Sequence, residues 1–172
     1  MEQMLYLDYE YENAIKKFLT DMIEIDQSVA VNGAPGYCQD KNIHDWIAKE
    51  KENHLGIHLK DGFVPATTYL YILDDQVIGI INIRHCLNDF LKRCGGHIGY
   101  SVHPNYRRQG YATKMLKEAL KKCQQWDITP VLVTCNKENI ASQKTIEKCG
   151  GILEDECFNE NRITLRYWIK GE

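Results

Sequence analysis

The chain has 172 residues, of which 44% are hydrophobic and 26% charged, and its formal net charge is −3. That balance suits one domain spanning residues 1–172, large enough to bury a proper core, and argues against a dedicated nucleic-acid binder, which needs a basic excess. No apolar run approaches membrane-spanning length, Met1-Glu-Gln-Met lacks the features of a secretory signal, and the seven cysteines show neither Cys-x-x-Cys nor metal-ligand spacing. The expectation is a cytoplasmic chain with reduced thiols, no metal, no nucleic-acid partner and no membrane partner.

In chain order, Leu5–Asp8 reads as a short strand, and residues 10–25 place Ala14, Ile15, Phe18, Leu19, Met22 and Ile25 on one helical face. Asn32-Gly-Ala-Pro-Gly36 is a loop by composition. Asn42 stands where it can cap a second helix carrying Ile43, Trp46 and Ile47, with Gly56 at its end. Two β-rich runs, Thr67–Leu73 and Gln76–Arg84, are joined at Asp74-Asp75 as a hairpin, and residues 85–95 read as a loop or short helix. A strand at 97–102, a helix at 108–124, a strand at Val131–Cys135 and a helix at 139–149 closed by Gly150-Gly151 follow. Ile152–Phe158 and Arg162–Ile169 should pair antiparallel. Alternating elements in the middle with hairpins at both ends make an α/β (α+β) fold with a mixed sheet.

The most informative stretch is Gly96-His-Ile-Gly-Tyr-Ser-Val-His-Pro-Asn-Tyr-Arg-Arg-Gln-Gly-Tyr-Ala-Thr113. A strand ends at Pro104, a basic loop follows, and after Gly110 a helical face begins at Ala112, Met115, Leu116 and Ala119. A helix start offers free N–H groups and a positive dipole end, Arg107 and Arg108 add charge, and Gly110 lets a ligand reach the backbone. A diphosphate fits this place.

Arg107-Arg-Gln-Gly-Tyr-Ala112 matches Arg/Gln-x-x-Gly-x-Gly/Ala, and Asn139-Ile-Ala-Ser-Gln-Lys-Thr-Ile-Glu-Lys-Cys-Gly150 resembles Asn-x-x-(Ala/Ser)…Glu-Lys-x-Gly. Together they resemble the GNAT superfamily of acetyl-CoA-dependent N-acetyltransferases, over residues 68 to 170. The resemblance implies a mainly antiparallel twisted sheet flanked by helices and splayed at its centre to receive acetyl-CoA as cosubstrate. It puts the pantetheine arm on backbone groups of Ser101 and Val102, and the pyrophosphate on Gln109, Gly110, Tyr111, Ala112 and Thr113 beside the two arginines. Asn139 and Ser142 match cofactor-contacting positions, with helix capping as the alternative use. The acceptor amine, on a small molecule or a peptide, would attack directly; the oligomeric state is left open, a homodimer being one option. An acyl-CoA-binding sensor without catalysis is the other reading.

In relatives a tyrosine seven residues after the motif asparagine protonates the departing thiolate, and here that position is Ile146. Tyr100, Ser142, Cys149 or water are the substitutes. His97 occupies a strand position where relatives often carry a carboxylate, which nominates it as general base, with a structural hydrogen bond as its other use. His85 is a weaker candidate for the acceptor cleft, and His103 is expected to support the loop. Acceptor identity is expected to reside in residues 28–66 and the final hairpin. Tyr37, Trp46 and Tyr69 are either acceptor-packing or core there.

Overall fold

A computed structural model describes residues 1–27 and 30–171. Among them seven strands form one sheet: β1 (Glu2–Tyr6), β2 (Ala66–Leu73), β3 (Gln76–Arg84), β4 (Ile98–Val102), β5 (Val131–Asn136), β6 (Ile152–Asn159) and β7 (Arg162–Ile169). Their order is β1-β2-β3-β4-β5-β7-β6, and the only parallel neighbours are β4 and β5. The helices are α1 (Glu12–Asp26), α2 (Ile43–Leu55), α3 (Tyr111–Gln125) and α4 (Ile140–Lys148). None of the described helices is long and apolar enough to cross a membrane.

Both faces of the sheet are covered. Ile81, Ile83, Ile98, Val133 and Leu165 pack under Met115, Leu116, Ala119 and Ile146 of α3 and α4. Leu70, Ile72 and Ile80 pack under Ile15, Phe18, Leu19, Trp46 and Ile47 of α1 and α2. Double coverage explains the unbroken apolar run of β3, since a strand buried on both sides loses the alternation of a half-exposed one. Full burial of a side chain such as Ile80 or Ile81 contributes about 1.5–3 kcal/mol. Trp46, Tyr37 and Tyr69 sit in these two cores, which decides them as packing residues.

The elements read from sequence are present with shifted ends. β1 begins at Glu2 because its register against β2 runs from Glu2↔Leu73 to Tyr6↔Tyr69. α2 begins after Asn42, whose side chain accepts from Asp45 N–H, and ends at Gly56 in the left-handed region. Asp74 and Asp75 both take positive φ, 46° and 66°, the conformation a tight hairpin demands. Residues 91–95 form one π-helical turn. The helix read as starting at 108 starts at Tyr111, because Arg108 and Gly110 adopt φ of 60° and 86°, which a right-handed helix cannot accommodate.

Candidate active site

β4 and β5 meet and then part. Their single register pair is Ile98↔Val133, after which each strand bends away toward its other neighbour. Three features close the apex of this V. His97 N–H donates to Leu132 O at 2.7 Å and its Nδ1 accepts from Leu132 N–H at 2.9 Å. Gly96, at φ 65°, lies so close that a Cβ there would stand 2.7 Å from Leu132 O. Arg84 Nη1 donates to Gly95 O (2.9 Å) and Gly96 O (3.3 Å), fixing the turn that leads into β4.

This geometry gives His97 the structural use that the sequence left open. Its Nδ1 lone pair, the one a base would use, is engaged by a main-chain N–H, and the residue is 7% exposed. Burial, reinforced by the neighbouring Arg84 charge, lowers its pKa to about 4, so the ring is neutral at physiological pH. His97 brackets two strands and does not line the cavity beyond them.

The mouth of the V opens into a cavity of about 890 Å³. Which backbone groups of β4 face it follows from the β3 ladder. His97 O accepts from Arg84 N–H, and His103 N–H donates to Ile78 O, so odd-numbered residues exchange with β3. Period-two alternation therefore turns the main-chain groups of Tyr100 and Val102 toward the gap. Ser101 lines the cavity, but its backbone belongs to the β3 ladder, whereas the main-chain groups of Tyr100 and Val102 face the gap.

At the far end of the cavity stands the start of α3. No side chain caps it, and Gly110 as N-cap leaves open space where a Cβ would be. Tyr111, Ala112 and Thr113 line the cavity here, with the orphan N–H groups of a first helical turn. Arg108 also lines it and, among the described residues, makes no ion pair. Arg107 does something else: Nη1 and Nη2 form a bidentate pair with Asp26 at 2.9 and 2.5 Å, and Nε donates to Val102 O at 2.9 Å. Its charge is paired and its side chain ties the loop to α1, while the residue still lines the cavity. Gln109 donates from Nε2 to Asn105 O and does not line the cavity.

On α4, Asn139 Oδ1 accepts from Ser142 N–H at 3.1 Å, the capping use left open by the sequence. Ser142 Oγ lies 2.8 Å from the Tyr100 hydroxyl, bridging β4 and α4 across the open V. Burial pushes the Tyr100 pKa to about 12, so the phenol keeps its proton at neutral pH. Cys135 on β5 also contacts Ser142, and its thiol is pushed up to about 11 by burial. Cys149 points elsewhere, its Sγ 3.7 Å from Thr113 O, and Ile146 is fully buried core. His103 supports the loop as expected, accepting from Asn105 N–H and facing Asp21. His85 bonds Thr67 through Nε2 at 2.7 Å and packs on Trp126, away from the cavity.

Sequence reasoning missed several lining residues: Asn32, Arg84, Thr134, Cys135, Arg162 and Thr164. Alternation in Val133-Thr134-Cys135 marked Thr134 as facing away from the α3 core. Nothing local marks Asn32 or Arg162, which reach the site through loop packing and strand pairing. Gly33, with φ 91° and a would-be Cβ 2.7 Å from Ile80 O, is what lets the α1–α2 loop lie on the sheet here. Residues 28 and 29 of the stretch expected to select the acceptor lie outside the described residues.

A bare, glycine-led helix start joined by one cavity to a split between parallel strands defines a binder of extended ligands with an anionic end and a hydrogen-bonding arm. A family model described as "Acetyltransferase (GNAT) family" matches residues 35–151, and the chain belongs to that family. Over 77 residues it is 31% identical to the uncharacterized N-acetyltransferase YjdG of Bacillus subtilis (strain 168), covering 42% of this chain and 40% of YjdG. The chain thus spans under half the length of that curated relative. RimL, a ribosomal L7/L12 α-N-protein acetyltransferase solved in complex with coenzyme A, is similar with a TM-score of 0.72 at 15% identity, over 98% of this chain and 93% of its own. The putative acetyltransferase yncA of Salmonella typhimurium, solved with acetyl-CoA, is similar with a TM-score of 0.67 at 11% identity, over 98% of this chain and 93% of its own. These two likenesses establish the fold.

Proposed function

We propose that the chain transfers the acetyl group of acetyl-CoA to a primary amine by direct attack, without a covalent enzyme intermediate. The observation that carries the reading is one cavity running from the uncapped start of α3 to the hydroxyl pair of Tyr100 and Ser142. The diphosphate lies on the N–H groups of Tyr111 to Thr113, where dipole and orphan donors favour an anion, with Arg108 and Lys144 beside it. The pantetheine amides satisfy the edge groups of Tyr100 and Val102 as an added strand would. As the amine nitrogen bonds to the carbonyl carbon, the Val102 N–H stabilises the oxygen that gains charge. The C–S bond then breaks, and the thiolate takes a proton from Ser142, backed by the protonated Tyr100 phenol.

No carboxylate or imidazole is among the described residues lining the cavity, so the amine sheds its proton to water. Turnover accordingly rises with pH toward the acceptor's own pKa, without a lower titration belonging to His97. Acetyl-CoA should raise the melting temperature by mass action, and Gly110→Val should abolish most of that rise by setting a side chain in the phosphate path. Free-thiol release against an amine panel completes the test. Tight acetyl-CoA binding with no thiol release for any amine overturns acetyl transfer in favour of an acyl-CoA sensor.

A further inference from the structure

We propose that the acceptor carries an oxyanion, a carboxylate or phosphate, a few bonds from its amine, and that Arg84 and Arg162 receive it. The proposal rests on the acetyl-transfer reading and names the acceptor class for the same cavity.

Alternation divides the cavity wall into two sides. Ile83, Val133, Cys135 and Leu165 face the core under α3 and α4. Their strand neighbours Arg84, Thr134, Thr164 and, two residues before Thr164, Arg162 face the other way, as does Gly99 on β4, and all five line the cavity. The acetyl carrier occupies the gap and the helix starts, so this opposite side is what remains for the acceptor. Arg108 stands just before α3 and Lys144 midway along α4, on the carrier's side of the cavity, and Arg107 is paired with Asp26. Arg84 and Arg162 have no such duty toward an anion.

The composition of the wall decides the charge of what it takes. Among the described lining residues there is no Asp or Glu. A polycationic acceptor would find no counter-ion and two arginines of its own sign, a repulsion that costs most in a partly desolvated site. Arg162 is exposed on β7 and makes no ion pair with any described residue. Arg84 uses Nη1 on the Gly95 and Gly96 carbonyls, while Nη2 makes no hydrogen bond and lies over Gly99, where even a Cβ would stand 3.2 Å away. Glu50, whose charge acts on Arg84, makes no ion pair with it: its two oxygens are engaged by Thr68 and Asn53. A guanidinium with free N–H groups facing a cavity is matched by a planar oxyanion.

The test compares acceptors differing only in charge: β-alanine against β-alaninamide, 2-aminoethyl phosphate against ethanolamine, and spermidine as polycation, with rates corrected for the free-amine fraction. Each anionic amine should exceed its neutral partner in kcat/KM by roughly tenfold or more, the worth of one charged hydrogen-bonded contact, and spermidine should be poorest. The better of the two anions identifies the group. Arg162→Gln, at an exposed position that folding tolerates, should raise KM for the anionic amine by roughly tenfold and leave KM for the neutral partner and for acetyl-CoA unchanged. Equal rates for charged and neutral partners, preference for spermidine, or an equal loss for both partners in Arg162→Gln overturns the proposal. Calorimetry of N-acetyl-β-alanine against its amide, on protein saturated with CoA, reads the anion site without turnover. Selective binding of the acid, lost in Arg162→Gln, supports it even if acetyl transfer fails, and equal binding sinks it.

Discussion

The apex and the mouth of the V are a few residues apart on the same two strands, yet they are built on opposite rules. At the apex the main-chain groups are answered: His97 meets Leu132 twice, Arg84 Nη1 meets two carbonyls, and Gly96 allows near-contact of backbones. At the mouth, the edge of β4 lacks a partner strand and α3 starts without a cap. Unmet backbone groups are costly when buried and are tolerated where a ligand or water can meet them. The closed end holds the open end apart. Substitutions at Gly96 and His97 should therefore cost stability and spare chemistry, and those at the mouth the reverse.

The largest expected effect is at Gly96. Gly96→Val combines a left-handed φ with a Cβ 2.7 Å from Leu132 O, and should destabilise by more than about 3 kcal/mol. Urea unfolding measures this, and a loss under about 1 kcal/mol would mean the strands can part at the apex without cost.

Next comes His97. The unfolded chain takes up its proton near pH 6.5, whereas the folded one resists until about 4, so stability falls as pH drops through that interval. The full loss amounts to about 3 kcal/mol. His97→Asn keeps an acceptor near Leu132 N–H, has nothing to protonate, and should flatten this acid limb while leaving acetyl transfer intact. Unfolding midpoints at several pH values read the limb, and a hundredfold loss of turnover in the folded variant would restore His97 as a base.

The smallest of the three is at the mouth. Ser142→Ala should leave unfolding within about 0.5 kcal/mol of the parent and lower kcat by about tenfold to a hundredfold, toward the lower end of general-acid effects. Acetyl-CoA affinity should not move. An unchanged kcat would assign thiolate protonation to water.

Much of the fold was legible because its signals are local. The Asn42 cap, the Gly56 stop, the helical faces of α1 and α3 and the double aspartate turn each sit within a few residues of what they determine. The glycine-led helix start was legible for the same reason. What the side chains do with one another was not. Arg107 and Arg108 are adjacent in a basic loop, and only the arrival of Asp26 from α1 separates a structural tie from a free cation. His97 carries the residue type of a base, and only the placing of Leu132 against it removes the lone pair. Which of Ser101 and Tyr100 turns its backbone toward the gap depends on the phase of the β3 ladder, a register that no local spacing encodes.

The Arg107 tether has a kinetic meaning. By gripping Asp26 on α1 and the Val102 carbonyl together, it fixes the loop before α3 between two rigid elements of the folded chain. The conformational entropy of that loop is then lost once, when the chain folds, and not again each time a ligand arrives. On the proposed reading, an anion meeting the start of α3 finds its donors already in place, and encounter rather than loop closure should set the pace of association.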